Sequence, residues 1–261
     1  MLGRLKQQLR GTVVHRAYHA AREQWQAWED RRPTTDISEM NARYDRQTIA
    51  VMRRVLGPDS LCVDVGAHDG SLLEKMFAFA PNARHLAIEP LPHLAEQLHS
   101  AFPNARVHDC ALGDTRASAS FQYVENDPGY SGLRRRVYDR PDPIVRELSV
   151  RVERLDDLVP STERLAFLKI DVEGGEYHVL RGALETIGRG RPIIVFEAGE
   201  KSTGQYGVTA REMYTLVTDT LGYSLTTMHR WLTGGPPLTA DQYHWGPESD
   251  FYFLAAPRAA S

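Results

Sequence analysis

The chain has 261 residues, 42% of them hydrophobic and 25% charged, with a formal net charge of −3. This is enough chain to bury a full core in one large domain, and the composition is that of a soluble globular protein. The slight acidity argues against nucleic-acid binding, and no stretch approaches the roughly eighteen apolar residues of a membrane span.

The charge is uneven. Residues 1–32 hold seven Lys/Arg and three Asp/Glu, a balance of +4, so the remainder carries −7. Leu2, Leu5, Leu9, Val13, Ala17, Ala21, Trp25 and Trp28 recur every three or four residues, which predicts one long helix over 2–30. Arg4, Lys6, Arg10, Arg16 and Arg22 occupy its other faces. Such a helix suits packing on the domain, contact with a second copy of the chain, or peripheral contact with an anionic membrane. His15, His19 and Glu23 share a face, but nothing supplies a further ligand, so they read as solvated side chains. The longest aliphatic run there is Val13-Val14, too short for a signal-peptide core, and Cys62 and Cys110 read as buried thiols. Both point to a cytoplasmic location. A helical extension and linker over 1–38 and a single domain over 39–258 are the expected organisation.

A second helix is predicted near 41–56, ended by Gly57-Pro58. Strands and helices then alternate, which argues a parallel sheet. Strands are expected near 61–65, 84–89, 105–111, 165–171 and 191–197, and helices near 71–80, 91–102, 175–187 and 209–221. Two shorter alternating segments, Ser118–Val124 and Leu148–Val152, flank a Pro/Gly/Arg-rich loop over 125–146. The chain closes with Tyr223–His229, a loop over 230–249, and Phe251–Leu254. No helix fits between those last two strands, so they are expected to pair antiparallel.

Val63-Asp64-Val65-Gly66-Ala67-His68-Asp69-Gly70 runs a strand into a glycine turn and then a helix. That unit brings bare backbone and a helix N-terminus to a ligand. Nineteen residues after Gly70, Glu89 ends the next strand, where a carboxylate can accept from both ribose hydroxyls. The turn lacks the G-x-G-x-x-G spacing of a dehydrogenase. Asp64 in this place would repel a pyrophosphate but suits a cationic cofactor such as S-adenosylmethionine. Asp109, at the third strand's end, could accept from an adenine amino group, with Ala111 and Leu112 as apolar walls. Asp171 and Glu197 end neighbouring strands on one crevice edge. They could share a divalent cation such as Mg²⁺, or one could serve as a base. Glu173 and Glu176 follow at the start of a helix, where acidic residues are favoured.

The ordered set VDVGAHDG, AIEP, CALGD, FLKIDVEGGEYHVLRGA and IIVFEAG resembles the FkbM family of S-adenosylmethionine-dependent methyltransferases, over roughly residues 42–256. The K-I-D-V-E-G-x-E run and its Leu-x-Gly-Ala helix are the specific part. The resemblance implies an α/β class I methyltransferase fold: a Rossmann-like three-layer sandwich with a seven-stranded, mostly parallel sheet and an antiparallel last strand. It also implies O-methylation of a hydroxyl on a small sugar or polyketide-type acceptor. By position, Asp64, Gly66, Glu89 and Asp109 are similar to the family's cofactor residues, with Ala67, His68, Gly70, Pro90, Ala111, Leu112 and Asp171 around them. Asp171 and Glu173 match its signature carboxylates, so the expected catalytic set is Asp171, Glu173 and Glu197, with Asp171 and Glu197 as the candidate metal pair. One departure is His68, where the family has Asn; cofactor binding is expected to survive it. For the acceptor, Ser131 and Arg134, from a loop holding three consecutive arginines, and the aromatic Trp231 and Trp245 are the candidates. N- or carboxyl-methylation on the same fold, a nucleotide-dependent oxidoreductase and a silent cofactor-binding module are the competing readings.

Overall fold

The computed structural model describes residues 36–136, 141–246 and 249–258. The predicted helix over 2–30 and its histidines lie outside the described residues. By its internal contacts the chain divides into residues 1–45 and 46–261. Helix α1 (Ile37–Val55) opens the described chain. It is followed by β1 (Leu61–Val65), α2 (Ser71–Phe79), β2 (Leu86–Ile88), α3 (Pro92–Ala101) and β3 (Arg106–His108). After β4 (Ala111–Leu112), β5 (Ala117–Val124) and β6 (Val145–Glu153) come α4 (Leu155–Leu158), β7 (Leu165–Ile170), α5 (Glu176–Arg181), α6 (Leu184–Gly190) and β8 (Ile193–Glu197). The chain ends with α7 (Ala210–Thr215), continued as a π-turn over Leu216–Thr220, then β9 (Tyr223–Thr227), α8 (Met228–Leu232) and β10 (Tyr252–Pro257).

The main sheet has seven strands in the order β3-β2-β1-β7-β8-β10-β9. β10 pairs antiparallel with both β8 and β9, and the other neighbours run parallel. This is the class I methyltransferase sandwich. All five residues of β1 are buried, as expected of a strand covered on both faces. Val63, Leu168, Ile170, Ile194 and Phe196 form the centre of one core, with Leu180, Ile187 and Val217 from the helices. Each such side chain stabilises the fold by roughly 1.5–3 kcal/mol. The strand order reverses between β1 and β7, so the crevice opens at their carboxyl ends.

Two expected elements are broken, each for a local reason. The strand expected over 105–111 leaves the main sheet at Asp109. β4 then pairs with β6, and β6 with β5 across eight residue pairs, forming a separate three-stranded sheet. Phe121, Val150 and Val152 of that sheet pack on Leu91 and Leu94. The helix expected over 175–187 stops at Gly182. A Cβ there would meet the Gly113 carbonyl oxygen at 1.9 Å, so only glycine allows this approach. The chain restarts as α6, with Asp156 accepting from the Thr186 N–H at 2.8 Å. The Leu-x-Gly-Ala run is therefore a helix break seated on another turn.

Candidate functional site

The carboxyl ends of β1, β2, β7 and β8 bring Asp64, Glu89, Asp171 and Glu197 to one edge. Tyr252 joins them, because antiparallel β10 begins there and Tyr252 is the cross-strand partner of Glu197. Two residues just beyond strand ends adopt left-handed backbone without being glycine: His68 (φ 48°) after β1 and Glu173 (φ 60°) after β7. Such strain persists only where surroundings impose it, and it concentrates at functional turns. His is among the side chains that tolerate this conformation, which gives His68 a physical reason to stand in this turn. Gly66 is demanded by β7: a Cβ on it would lie 1.8 Å from the Asp171 carbonyl oxygen.

Lys169 holds the centre. Its register partner on β1 is Asp64, and Asp171 lies two residues on, along the same face. The buried ammonium donates to the Gly66 carbonyl at 2.8 Å and lies 3.4 Å from Asp64 Oδ1 and 3.6 Å from Asp171 Oδ2. Burial pushes the Lys169 pKa down, but the Asp64 and Asp171 charges outweigh it and hold it above its ordinary value. Burial pushes the Asp64 carboxyl up, and Lys169 offsets only part of that. Asp64 is 1% exposed, and neither of its oxygens receives a well-formed hydrogen bond.

Asp171 has several partners. Burial pushes its carboxyl up, but Lys169, hydrogen bonds with Glu197 and Tyr252, and Arg136 together hold it below the usual range. The Tyr252 hydroxyl donates to Asp171 Oδ2. Glu197 is forced the other way: burial and the neighbouring Asp171 charge push its carboxyl well above the usual range. Glu173 pairs with Arg136. Glu176, wholly buried, accepts from the Val172 and Gly174 N–H groups and from Thr203 Oγ1, at 3.0–3.2 Å. Burial raises its carboxyl to about 7.

The cofactor fit rests on Asp64 and Glu89. Glu89 is 4% exposed and accepts from the His68 and Leu91 N–H groups, both at 2.9 Å. Each carboxylate oxygen keeps a further lone pair, so ribose hydroxyls remain within its chemistry. It is the backbone of His68 that reaches Glu89, while its side chain is half-exposed. Ala67 is buried, its N–H donating to the Ile88 carbonyl, and Pro90 follows Glu89 at the same edge. Gly70 precedes α2 in left-handed backbone. A buried carboxylate beside a glycine turn, with the Lys169 ammonium at 3.4 Å and no closer donor, fits a cofactor with a cationic end.

A divalent cation does not fit the second set as it stands. Oxygens of Asp171, Glu173 and Glu197 lie within 4.8 Å of one another. Arg136 and Lys169, however, already balance Glu173 and Asp171. A cation would have to displace Arg136.

Other expected residues lie elsewhere. Asp109 is exposed, its Oδ1 accepts from Arg151 at 2.6 Å, and it lines a cleft of about 350 Å³ with Pro92, Ala95 and His99. Ala111 and Leu112 are buried in β4, against the second sheet and the main core respectively. Ser131 Oγ accepts from the Val124 N–H at 3.0 Å and so holds a turn. Trp231 lies under the Arg54 guanidinium, 5.1 Å away, and Trp245 donates to the buried Tyr243 hydroxyl at 3.2 Å. Neither tryptophan touches the crevice carboxylates among the described contacts. His178 lies 3.4 Å from Asp114 Oδ2, and it is Glu197 and Tyr252 that face Asp171. Sequence reasoning passed over Lys169, Tyr252 and Tyr206. A lysine inside an otherwise apolar strand was the available signal, because a buried ammonium must be paired.

The family model for the methyltransferase FkbM domain matches residues 64–225. Methyltransferase 1 of Beauveria bassiana is 33% identical over an alignment of 146 residues that covers 48% of this chain and 58% of that protein. The 2-O-methyltransferase NoeI of Sinorhizobium fredii is 24% identical over 184 residues, 62% of this chain and 70% of that protein. AMB antimetabolite synthetase AmbE of Pseudomonas aeruginosa matches over only 9% of its length, so the chain spans less than two thirds of Methyltransferase 1 and of AmbE. The crystal structure of methyltransferase FkbM from Methylobacillus flagellatus aligns at 18% identity and a TM-score of 0.46, covering 77% of this chain and 44% of that one. The family match begins at the buried Asp64 and takes in Glu89, Lys169, Asp171 and Glu197, and on that match this chain belongs to the FkbM methyltransferase domain family.

Proposed function

We propose that the chain is an S-adenosylmethionine-dependent O-methyltransferase acting on a hydroxyl of a small sugar or natural-product acceptor. The observation that carries this reading is the pairing of two acidic sites through Lys169: buried Asp64 at the glycine turn and ionised Asp171 at the adjoining strand end. The printed name of NoeI, a 2-O-methyltransferase, supports oxygen as the acceptor atom.

S-adenosylmethionine, when bound, supplies a methyl group on a positively charged sulfur. Asp64 would face that positive end, and Glu89 would take the ribose hydroxyls. Asp171 would align the acceptor hydroxyl and accept its proton as the oxygen gains the methyl. With its pKa held low Asp171 is a weak base, but it is ionised throughout the neutral range. Tyr252 and Lys169 fix the orientation of the carboxylate.

Calorimetric titration with S-adenosylmethionine and, separately, with NAD tests the cofactor. Binding of the first and not the second is expected, and the reverse would overturn the reading. Methyl-labelled cofactor with a panel of hydroxylated sugars and polyketide-like alcohols, set against amines and carboxylic acids, then tests the acceptor atom.

A further inference from the structure

Arg134, Arg135 and Arg136 are consecutive, and the fold treats them differently. Arg136 is drawn inward, paired with Glu173 and stacked over Tyr130 at 5.1 Å. Arg134 and Arg135 are exposed. No carboxylate among the described residues pairs with either.

Arg134 is nevertheless held in place. Its guanidinium lies 5.4 Å from the centre of the Tyr206 ring, and its backbone N–H donates to the Tyr206 hydroxyl at 3.1 Å. A guanidinium stacked on an aromatic face keeps its in-plane N–H donors open, ordered for a planar or tetrahedral oxyanion. Tyr206 is fixed in turn. A Cβ built on Gly132 would lie 3.5 Å from its hydroxyl and 3.3 Å from Glu173 Cβ, and one on Gly174 would meet its ring. The ring that carries Arg134 therefore abuts the turn that follows Asp171.

The charges along this edge are ordered. Asp64, Glu89 and Asp171 make its interior acidic, which suits a cation. Arg134, seated on Tyr206 beside the turn after Asp171, and its exposed chain neighbour Arg135 suit an anion. We infer that Arg134 and Arg135 form an oxyanion subsite, and that the acceptor is a hydroxyl compound that also carries a phosphate or carboxylate group. The word acceptor rests on the methyl-transfer reading; the subsite itself does not.

The test is calorimetric titration of the full chain with inorganic phosphate, acetate and glucose, in parallel with the cofactor titration. Phosphate or acetate is expected to bind and glucose is not; phosphate alone marks a phosphoester acceptor, acetate alone a carboxylate one. In the R134Q/R135Q double variant oxyanion binding should weaken at least about tenfold, the scale of losing charge-assisted hydrogen bonds. Tyr206→Leu, which removes the stacking face, should weaken it by a smaller factor. Cofactor affinity of the double variant should stay within about twofold of wild type. The inference is overturned if wild type binds neither oxyanion, or if the double variant binds as well as wild type. Failure of S-adenosylmethionine to bind would sink the methyl-transfer reading and leave the phosphate result standing, so the two failures are distinguishable.

Discussion

Lys169, on β7, and Asp171, just past its end, lie two residues apart along one face, and their charged atoms are 3.6 Å apart in an interior that gives Lys169 almost no solvent. Asp64 flanks the same ammonium from the neighbouring strand. Lys169 is thus the counter-ion of two buried carboxylates and donates to the carbonyl of the glycine turn.

Lys169→Met keeps length and apolar volume but removes the charge. Both carboxylates would then lack their main counter-ion. Removing one partner of a buried pair costs about 3–5 kcal/mol. Urea denaturation should show that loss as a lower midpoint, and the variant should also bind cofactor more weakly because the Gly66 carbonyl loses its donor. An unchanged midpoint would mean that Asp64 and Asp171 are neutral in the fold.

Asp171→Asn preserves shape and removes the charge. On the proposed chemistry, turnover should fall about a hundredfold or more, the scale of losing a general base. Tyr252→Phe removes one hydroxyl that donates to Asp171 and should lower kcat by a smaller factor, with cofactor affinity unchanged. EDTA should leave activity intact, because Arg136 and Lys169 already balance the carboxylates that a metal would need. Activity lost to EDTA and restored by Mg²⁺ would overturn that account.

The fold was legible wherever periodicity and chain order were enough. β1, β7 and β8 read as apolar runs with a carboxylate at or next to the end, and the last strand pairs antiparallel as expected, although α8 (Met228–Leu232) occupies the connection in which no helix was expected. The breaks were not legible. Nothing local in Asp109-Cys110 says that the chain changes sheets there, because the partner β6 is about 40 residues away in sequence. Gly182 looked like part of a helix because its reason for being glycine, the Gly113 carbonyl, comes from another turn. At the site, the positions of Asp64, Glu89, Asp171 and Glu197 followed from strand ends. Their partners did not: Tyr252 and Arg136 arrive from distant segments, and the tryptophans of the 230–249 loop turn to Arg54 and Tyr243.

Glu89→Ala tests the ribose assignment. Unpaired buried hydroxyls cost about 1–3 kcal/mol, so S-adenosylmethionine affinity should fall by roughly one to two powers of ten. The same variant frees the N–H groups of His68 and Leu91, so the turn loses two hydrogen bonds and thermal stability should drop as well. Glu89→Gln keeps the shape and one accepting oxygen, so it can still hold one of the two N–H groups while losing the charge, and it separates the two effects. If Glu89→Gln restores stability and affinity stays low, the carboxylate itself binds the cofactor; if both recover, Glu89 only shapes the turn.

His85 gives a pH dependence of stability that is independent of the site. It is wholly buried, its Nδ1 accepting from the Cys62 N–H at 3.2 Å and its Nε2 donating to the Ala80 carbonyl at 3.0 Å. One nitrogen must be bare and the other protonated, so the ring is neutral in the fold. Burial is the main reason its pKa is lowered from the ordinary histidine value of 6.5, with the Ala80 hydrogen bond opposing it. The sign follows from proton counting. Below about 6.5 the unfolded chain binds a proton at His85 that the folded chain refuses until lower pH, so acid favours unfolding. The contribution is complete above the unfolded value and is lost as pH falls towards the lowered folded one. Raised carboxyls such as Glu176 titrate in the opposite sense nearby, so the comparison is with His85→Gln, which keeps an acceptor and a donor without titrating. Between pH 7 and pH 5 the melting temperature of wild type should fall relative to that of His85→Gln. Parallel melting curves across this range would show that His85 takes up its proton inside the fold and that the β1–β2 hydrogen bonds do not depend on its neutral form.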